Sequence, residues 1–215
     1  MHMLQRLEWC KKFQRTTWSK VLFTDESWFY TFPVINTQTS RFYTDDSAKV
    51  PPIQRPKHPD KVMVWGGISY YGKTKLYRLT GSVTADSYVA LIQKVFKDDI
   101  PLIFDKDCIW MQDGAPAHSA HKTLAELDKS DCIEAYFGGK NSWPANSPDL
   151  NPIENCWAIM KQKLSGKTYT SPDLLFEEIQ EIWNSLPGRH LKRLCGSMPK
   201  RVKLCIAAQG GHIEY

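Results

Sequence analysis

The chain has 215 residues, of which 42% are hydrophobic and 24% charged, and its formal net charge is +5. That length can bury a substantial core in one large domain or two small ones. No stretch reaches the roughly 18 uninterrupted apolar residues of a membrane span, and the opening residues, MHMLQRLEWCKKF, lack the apolar centre of a secretory signal. Six scattered cysteines form no CxxC pair and no zinc-ligand spacing. We therefore expect a soluble intracellular protein with no membrane partner and with reduced, mostly buried cysteines.

The first predicted elements are a helix over residues 4–15 and a strand over residues 20–30. The strand opens with the apolar run VLF, typical of a strand that is covered on both faces. Residues 62–69 and 74–79 alternate in a way that favours two strands of a hairpin, with its turn at Tyr71-Gly72-Lys73.

The second half of the chain alternates between helical and strand patterns. Thr84 is a candidate N-cap for the helix that follows it, and Asn151-Pro152 and Ser171-Pro172 are typical of helix starts. The predicted elements are a helix after Thr84, a strand over 108–112, a helix over 119–127, a strand over 133–137, and helices over 152–164 and 172–186. This order predicts an α/β fold in which a mixed central sheet carries helices on both faces.

Three acidic residues occupy positions that suit a metal site. Asp25 follows the apolar run of the first strand, Asp113 follows the strand over 108–112, and Glu154 lies in the first turn of a helix. A carboxylate at the end of a buried strand is costly to desolvate unless a cation compensates it. Carboxylate oxygens are the ligands that Mg²⁺ and Mn²⁺ prefer, and two such ions serve phosphodiester chemistry.

Each acid also has a structural interpretation. Asp25 and Asp113 are reasonable turn residues, and the Asp113-Gly114 pair is favoured in turns. Glu154 occupies the third helical position after Asn151, where it can complete a capping box. Taken one acid at a time, the structural roles are the stronger interpretation. The pattern alone therefore indicates only an α/β domain with a possible metal-dependent phosphoryl-transfer site.

A basic segment lies near the end of the chain. Between Ile182 and Ile213 there is no Asp or Glu. The Lys and Arg residues in that interval are Arg189, Lys192, Arg193, Lys200, Arg201 and Lys203. Such a one-signed stretch suits a polyanion such as DNA, and a solvated helix face explains it equally well. Arg55, Lys57 and His58 in a proline-rich loop have the same two interpretations.

Four sequence blocks carry a resemblance to a known family. VLFTDESWF, VMVWGGIS, WMQDGAPAH and WPANSPDLNPIENCW resemble, in order, the signature blocks of the mariner superfamily of DDE transposases. The final residues, SMPKRVKLCIAAQGGHIEY, are also similar to the family's C-terminus. The resemblance implies a ribonuclease H-like catalytic domain over residues 20–215, preceded by a helical lead-in over residues 1–19.

The resemblance also assigns the three acids. Asp25 matches the first acid, on the first strand, and Asp113 matches the second, on the fourth strand. Glu154 matches the third, on a helix beyond the fifth strand, and Asp149 matches the loop that precedes that helix. These assignments imply two Mg²⁺ or Mn²⁺ ions per site. His118 falls in the same block as Asp113, where we expect it to hold the loop and not to act directly.

The implied activity is cut-and-paste DNA transposition. Its expected partners are transposon ends and a TA target bound by a homodimer, with no small-molecule substrate, and we expect a nuclear protein. Relatives carry paired helix-turn-helix modules, which these residues do not contain, so the chain is a catalytic fragment or a product without the DNA-reading half. Two alternatives are a host-adopted binding or scaffolding protein without cleavage activity and a ribonuclease H-like nuclease with another nucleic-acid substrate.

Overall fold

A five-stranded mixed sheet lies at the centre of the computed structural model, which describes residues 2–32, 59–138 and 142–214. Its strands are β1 (Val21–Tyr30), β2 (Lys61–Ile68), β3 (Tyr77–Leu79), β4 (Cys108–Met111) and β5 (Ile133–Phe137). Their spatial order is β3-β2-β1-β4-β5. The β1–β2 and β2–β3 pairs are antiparallel, whereas β1–β4 and β4–β5 are parallel. The predicted mixed sheet is confirmed.

The helices of the described ranges fall mostly after β3. They are α1 (His2–Phe13), α2 (Ala85–Asp98), α3 (Ile100–Ile103), α4 (Pro116–Ser119), α5 (His121–Asp128), α6 (Ile153–Lys163), α7 (Pro172–Ser185), α8 (Gly188–Gly196) and α9 (Met198–Ala207). Thr84 caps α2 through a capping box with Ser87, and the Ser171 side chain caps α7, as the sequence predicts. Helices α8 and α9 were not predicted. No helix in this part of the chain is long and apolar enough to cross a membrane.

Two hydrophobic cores cover the two faces of the sheet. Alternate residues of β1 point to opposite faces, so that Phe23 enters one core and Leu22 enters the other. The larger core contains residues of α1, α6, α7, α8 and α9, and the smaller one contains residues of α2 and α5. The expected arrangement of helices on both faces is therefore confirmed.

Helix α1 belongs to the larger core. Trp9 and Cys10 are buried in it, and α1 packs against α9 near the other end of the chain. Helix α1, which lies within the helical lead-in predicted over residues 1–19, therefore packs on the same core as the sheet. All six cysteines are unpaired, and five are buried, as expected.

Strand β1 is longer than the apolar run that predicted its start. It pairs with β2 from Phe23 to Tyr30, whereas β4 pairs only with Val21–Phe23. Asp25 therefore lies within β1, two residues beyond the end of its pairing with β4, and not in a turn. β4 ends at Met111, whose carbonyl accepts a hydrogen bond from the Thr24 hydroxyl, next to Asp25, at 2.6 Å.

Candidate active site

Asp25 is held by a tryptophan from α6. Trp157 donates its Nε1–H to Oδ2 of Asp25, at 3.2 Å. On β2, Gly66 lies directly opposite Asp25. A Cβ at Gly66 would approach the rings of Trp183 and Trp157 to 3.1–3.2 Å, so glycine leaves room for this stacked pair, whose centroids are 5.3 Å apart. Because Gly66 has no side chain, the Trp157 ring can pack here and donate its hydrogen bond to Asp25.

The environment of Asp25 disfavours its negative charge. Burial, together with the nearby charges of Glu154 and Glu26, raises the pKa of Asp25 to about 8. The hydrogen bonds from the Glu26 backbone and from Trp157 oppose this shift and do not outweigh it. A carboxylate that is destabilised by burial and by other acids is stabilised by a bound cation.

Asp113 lies just beyond β4, in a loop that precedes α4. Its Oδ1 accepts hydrogen bonds from the Ala115 N–H at 3.0 Å and from Nδ1 of His118 at 2.5 Å. Burial acts to raise the pKa of Asp113, but the hydrogen bonds from His118 and Ala115 outweigh it and lower the pKa below its ordinary value. Asp113 is therefore ionised at neutral pH, and both of these hydrogen bonds are accepted by its Oδ1.

His118 bridges Asp113 to a second acid. Its Nε2 lies 3.2 Å from Oε1 of Glu26, the residue is buried, and the centroid of its ring lies 4.0 Å from that of Tyr88. Burial acts to lower the pKa of His118, but hydrogen bonds to Asp113 and Glu26 raise it to about 9. A protonated His118 donates to both carboxylates and fixes the orientation of Asp113, in the holding role expected from the sequence.

The sequence analysis missed Gln112, which supports the same loop. Its Oε1 accepts from the Tyr88 hydroxyl and from Nε1 of Trp110, each at 3.1 Å, and its Nε2 donates to the His118 carbonyl at 2.8 Å. The side chain is buried. An amide in an otherwise apolar strand needs hydrogen-bond partners, and that signal could have identified it.

Glu154 lies in the first turn of α6 and is half-buried. The capping-box interpretation requires Glu154 to accept the Asn151 N–H, but that N–H donates to the Pro148 carbonyl at 3.0 Å. Oδ1 of Asn151 accepts a hydrogen bond from the Ile153 N–H at 3.4 Å. The structural alternative for Glu154 is therefore wrong; Glu154 lines the same cleft as Asp25, and its negative charge raises the pKa of Asp25.

Asp149, which lies five residues before Glu154, forms a buried ion pair with Arg6. Arg6 of α1 donates to both of its oxygens, at 2.8 and 2.6 Å, and the Ile213 N–H donates to Oδ2 at 3.0 Å. The Asp149 side chain is 1% exposed. Burial acts to raise its pKa, but the hydrogen bonds from Arg6 and Ile213 lower it. Asp149 therefore ties α1 and the C-terminal residues to the loop before α6, and it is not a metal ligand.

The basic residues predicted to contact DNA differ in their exposure to solvent. Arg201 is fully buried and donates to the Asp149 carbonyl and to Oδ1 of Asn155, each at 2.8 Å. It cannot reach a phosphate, so the expectation that it contacts DNA is wrong. The remaining basic residues of α8 and α9 are exposed: Arg189, Lys192, Arg193, Lys200 and Lys203. Three further candidates, Arg55, Lys57 and His58, lie outside the described residues.

One cleft of about 370 Å³ contains all three predicted acids. Residues 113–115 and 143–148 line it together with Asp25 and Glu154. In the described part of the chain, no three His, Cys, Asp or Glu side chains approach closely enough to hold one ion together. The structure thus brings Asp25 and Glu154 into electrostatic contact, while Asp113 lines the same cleft with Oδ1 bound to His118. Such a carboxylate set fits a hard divalent cation.

Comparison with known proteins places these residues in a wider context. The chain is 32% identical over 220 residues to the Tc3 transposase of Caenorhabditis elegans. The match covers 100% of this chain and 64% of that protein. It is 26% identical to the Tc1 transposase of C. elegans, covering 99% of this chain and 77% of that one.

Solved structures of Mos1 transposase share the fold. The paired-end complex with the left transposon end superposes with a TM-score of 0.84 at 19% identity, covering 99% of this chain and 63% of that one. The isolated Mos1 catalytic domain gives 0.75 and is covered over 96% of its length. The expected ribonuclease H-like fold is confirmed. The family model described as DDE superfamily endonuclease matches residues 20–175, which include all three acids, and the chain therefore belongs to the DDE superfamily of endonucleases.

Proposed function

We propose that the chain is the catalytic domain of a DDE transposase that cuts DNA at the ends of a transposable element and joins the freed 3′-hydroxyl to a target phosphodiester. The observation that carries this proposal is the single cleft that contains Asp25, Asp113 and Glu154. The relatives named above are transposases, and this chain spans 64% of Tc3 transposase, so the assignment concerns the catalytic part of such a protein.

The proposed cofactor is Mg²⁺ or Mn²⁺, two ions per site. Asp25 and Asp113 would hold one ion and Glu154 would complete the site of the other. Such ions supply positive charge for attack at phosphorus and for departure of the leaving oxygen. Solved Mos1 complexes with Mn and with Mg support this choice of metal. Trp157 and His118 orient Asp25 and Asp113, so the chain's own hydrogen bonds pre-arrange the carboxylates before any ion binds.

The proposed partner is DNA, bound by a homodimer at transposon ends and at a TA target, in the nucleus. Its phosphates would meet the exposed basic residues of α8 and α9, of which Arg189, Lys192 and Arg193 lie on one helix. Phosphate contacts of this kind supply sequence-independent affinity that falls steeply with salt. The Mos1 complexes with transposon ends support DNA as the partner.

The proposal is tested by incubating the purified chain with Mn²⁺ and a pre-cut DNA end, and by following nicked and joined products on a denaturing gel. Wild type should form both products, and Asp25→Asn and Glu154→Gln should each lower the rate by on the order of a thousandfold or more. Asp173→Asn is the matched control, since this acid is 77% exposed and lies outside the cleft. A wild-type chain that binds DNA and yields neither product would favour the non-cleaving, host-adopted alternative.

A further inference from the structure

The side chain of Thr24 joins two of the three segments that carry the acids of the cleft. Thr24 directly precedes Asp25 on β1 and is 3% exposed. Its hydroxyl donates to the Met111 carbonyl at 2.6 Å, and Met111 is the last residue of β4, two positions before Asp113. The pairing of β1 with β4 ends at Phe23 and Met111, so this hydrogen bond extends the contact between the two strands by one residue. It fixes the backbone before Asp25 against the backbone before Asp113.

Asn151 joins the same point of β1 to the third segment. Its Nδ2 donates to the Thr24 carbonyl at 3.4 Å, and its Oδ1 accepts from the N–H of Ile153, the residue before Glu154, also at 3.4 Å. Asn151 is buried and lines the cleft. The opposite orientation of this amide would place oxygen against oxygen and N–H against N–H, so its two partners determine which end faces β1. We call these three hydrogen bonds, made by the side chains of Thr24 and Asn151, the Thr24–Asn151 link.

The Thr24–Asn151 link acts on the backbones that carry the acids, whereas Trp157 and His118 bond to the carboxylates themselves. The negative charge of Glu154 raises the pKa of Asp25, so these two acids repel each other when both are ionised. Without a bound cation, that repulsion favours a wider separation of the segments. Because its two side chains are neutral, the link resists this separation without occupying a carboxylate oxygen that a metal ion needs.

We propose that Thr24 and Asn151 are positioning residues, which set the distances among the three acids and thereby the affinity of the cleft for a divalent ion. Neither side chain needs to touch the ion, because both act through the backbone next to a ligand. Hydrogen bonds behind the ligands of a metal site change metal affinity or activity by about 10- to 100-fold when they are removed. This inference rests on the proposed function, because it takes the three acids as the metal ligands.

The test is the affinity of the DNA-free chain for Mn²⁺, measured from the electron paramagnetic resonance signal of the free ion, with Asp25→Asn identifying the binding that belongs to the cleft. Thr24→Val keeps the shape but lacks the hydroxyl, and it should weaken Mn²⁺ binding on the order of tenfold. Thr24→Ser restores the donor and should recover the wild-type affinity. Asn151→Ala removes both amide hydrogen bonds and should weaken binding to a similar extent. Thr31→Val is the comparison variant and should bind as wild type does, since Thr31 is equally buried but donates its hydroxyl to the Asp60 carbonyl, at 3.0 Å, outside the cleft.

Urea unfolding of each variant separates positioning from stability. A purely structural role predicts that Thr24→Val and Thr31→Val both lose stability and both keep the wild-type affinity for Mn²⁺. That result would overturn the proposal, as would wild-type affinity in Asn151→Ala, a Thr24→Ser variant that binds as weakly as Thr24→Val, or a wild-type chain that binds no Mn²⁺. Because no DNA is present, these measurements are independent of catalysis. A chain that fails to cut DNA yet shows the Thr24 effect refutes the proposed function alone, whereas a chain that cuts DNA without the Thr24 effect refutes the positioning role alone.

Discussion

Asp149→Asn removes one charge from a buried ion pair and leaves Arg6 charged in the same surroundings. The two side chains are 5% and 1% exposed, and Arg6 reaches both carboxylate oxygens. Asn keeps one oxygen for the Ile213 N–H, so the main change is the loss of charge. An uncompensated buried charge costs about 3–5 kcal/mol. That is a large fraction of the roughly 5–15 kcal/mol that stabilises a typical domain, and it corresponds to a fall in Tm of roughly 6–20 °C.

The assay is urea unfolding followed by tryptophan fluorescence, with the midpoint compared at unchanged m-value. His212→Gln is the matched control, because His212 lies 3.2 Å from the same Asp149 oxygen but its side chain is 70% exposed. Its loss should stay below about 1 kcal/mol. A loss of less than about 1 kcal/mol for Asp149→Asn would refute the claim that this pair anchors the loop before α6.

The sign of the pH dependence follows from the lowered pKa of Asp149. The pair contributes stability that is present above the unfolded pKa of about 3.9 and is lost as pH falls through the lower folded value. Wild type should therefore lose its advantage over Asp149→Asn only in strong acid. Arg6→Gln added to Asp149→Asn should recover part of the lost stability, since it removes the orphaned charge.

Three further predictions concern the cleft. The free energies of unfolding of Glu154→Gln and Glu154→Ala in urea should both lie within about 0.5 kcal/mol of the wild-type value, because the Asn151 N–H donates to the Pro148 carbonyl and not to Glu154. A clear loss of stability for Glu154→Ala alone would show that Glu154 does complete a capping box. Asp25→Asn should raise the Tm of the metal-free chain more at pH 8 than at pH 5. The folded state holds the pKa of Asp25 at about 8, whereas the unfolded chain ionises this acid in the ordinary acidic range, so the wild-type folded state loses stability relative to the unfolded state as the pH rises from 5 to 8. Equal increases in Tm at both pH values would contradict this prediction. His118, with a pKa of about 9, should contribute stability below pH 6.5 that fades as pH rises through 9, so the Tm difference from His118→Gln should shrink over that range, and a constant difference would count against the bridge.

The arrangement of elements was predictable where local patterns agreed with the final packing. The strand predicted over 133–137 has those bounds in the structure, and Thr84 caps α2, because short apolar runs and cap residues act locally. The roles of the three acids were harder to predict, since each acid also suited a turn or a helix cap. Only the tertiary structure, which places Asp113 and Glu154 beside Asp25, separates those roles.

The errors have a common physical cause. A count of charges cannot say which face of a helix is buried, so Arg201 was grouped with exposed neighbours although α9 directs it into the core. The turn interpretation of Asp25 fails because β2 pairs with β1 well past the apolar run, from Phe23 to Tyr30. The role of Glu154 depends on the Asn151 N–H, which donates to the Pro148 carbonyl, a choice of partner that no spacing rule reveals. Each error concerns a contact between residues distant in sequence, or a choice among local partners.

Helix α1 lies outside the part of the chain that the family model matches, and yet it completes the core on which the cleft rests. Trp9 packs edge-to-face on Trp143, which lines the cleft, with ring centroids 4.7 Å apart. Trp9→Ala should therefore lose about 3–5 kcal/mol in urea unfolding, whereas Leu4→Ala on the same helix, at 65% exposure, should lose less than about 0.5 kcal/mol. A chain that starts at residue 20 should lose cooperative unfolding, because it leaves Asp149 buried without Arg6. Cooperative unfolding of that shortened chain at the wild-type midpoint would show that α1 is dispensable and that the catalytic unit begins at β1.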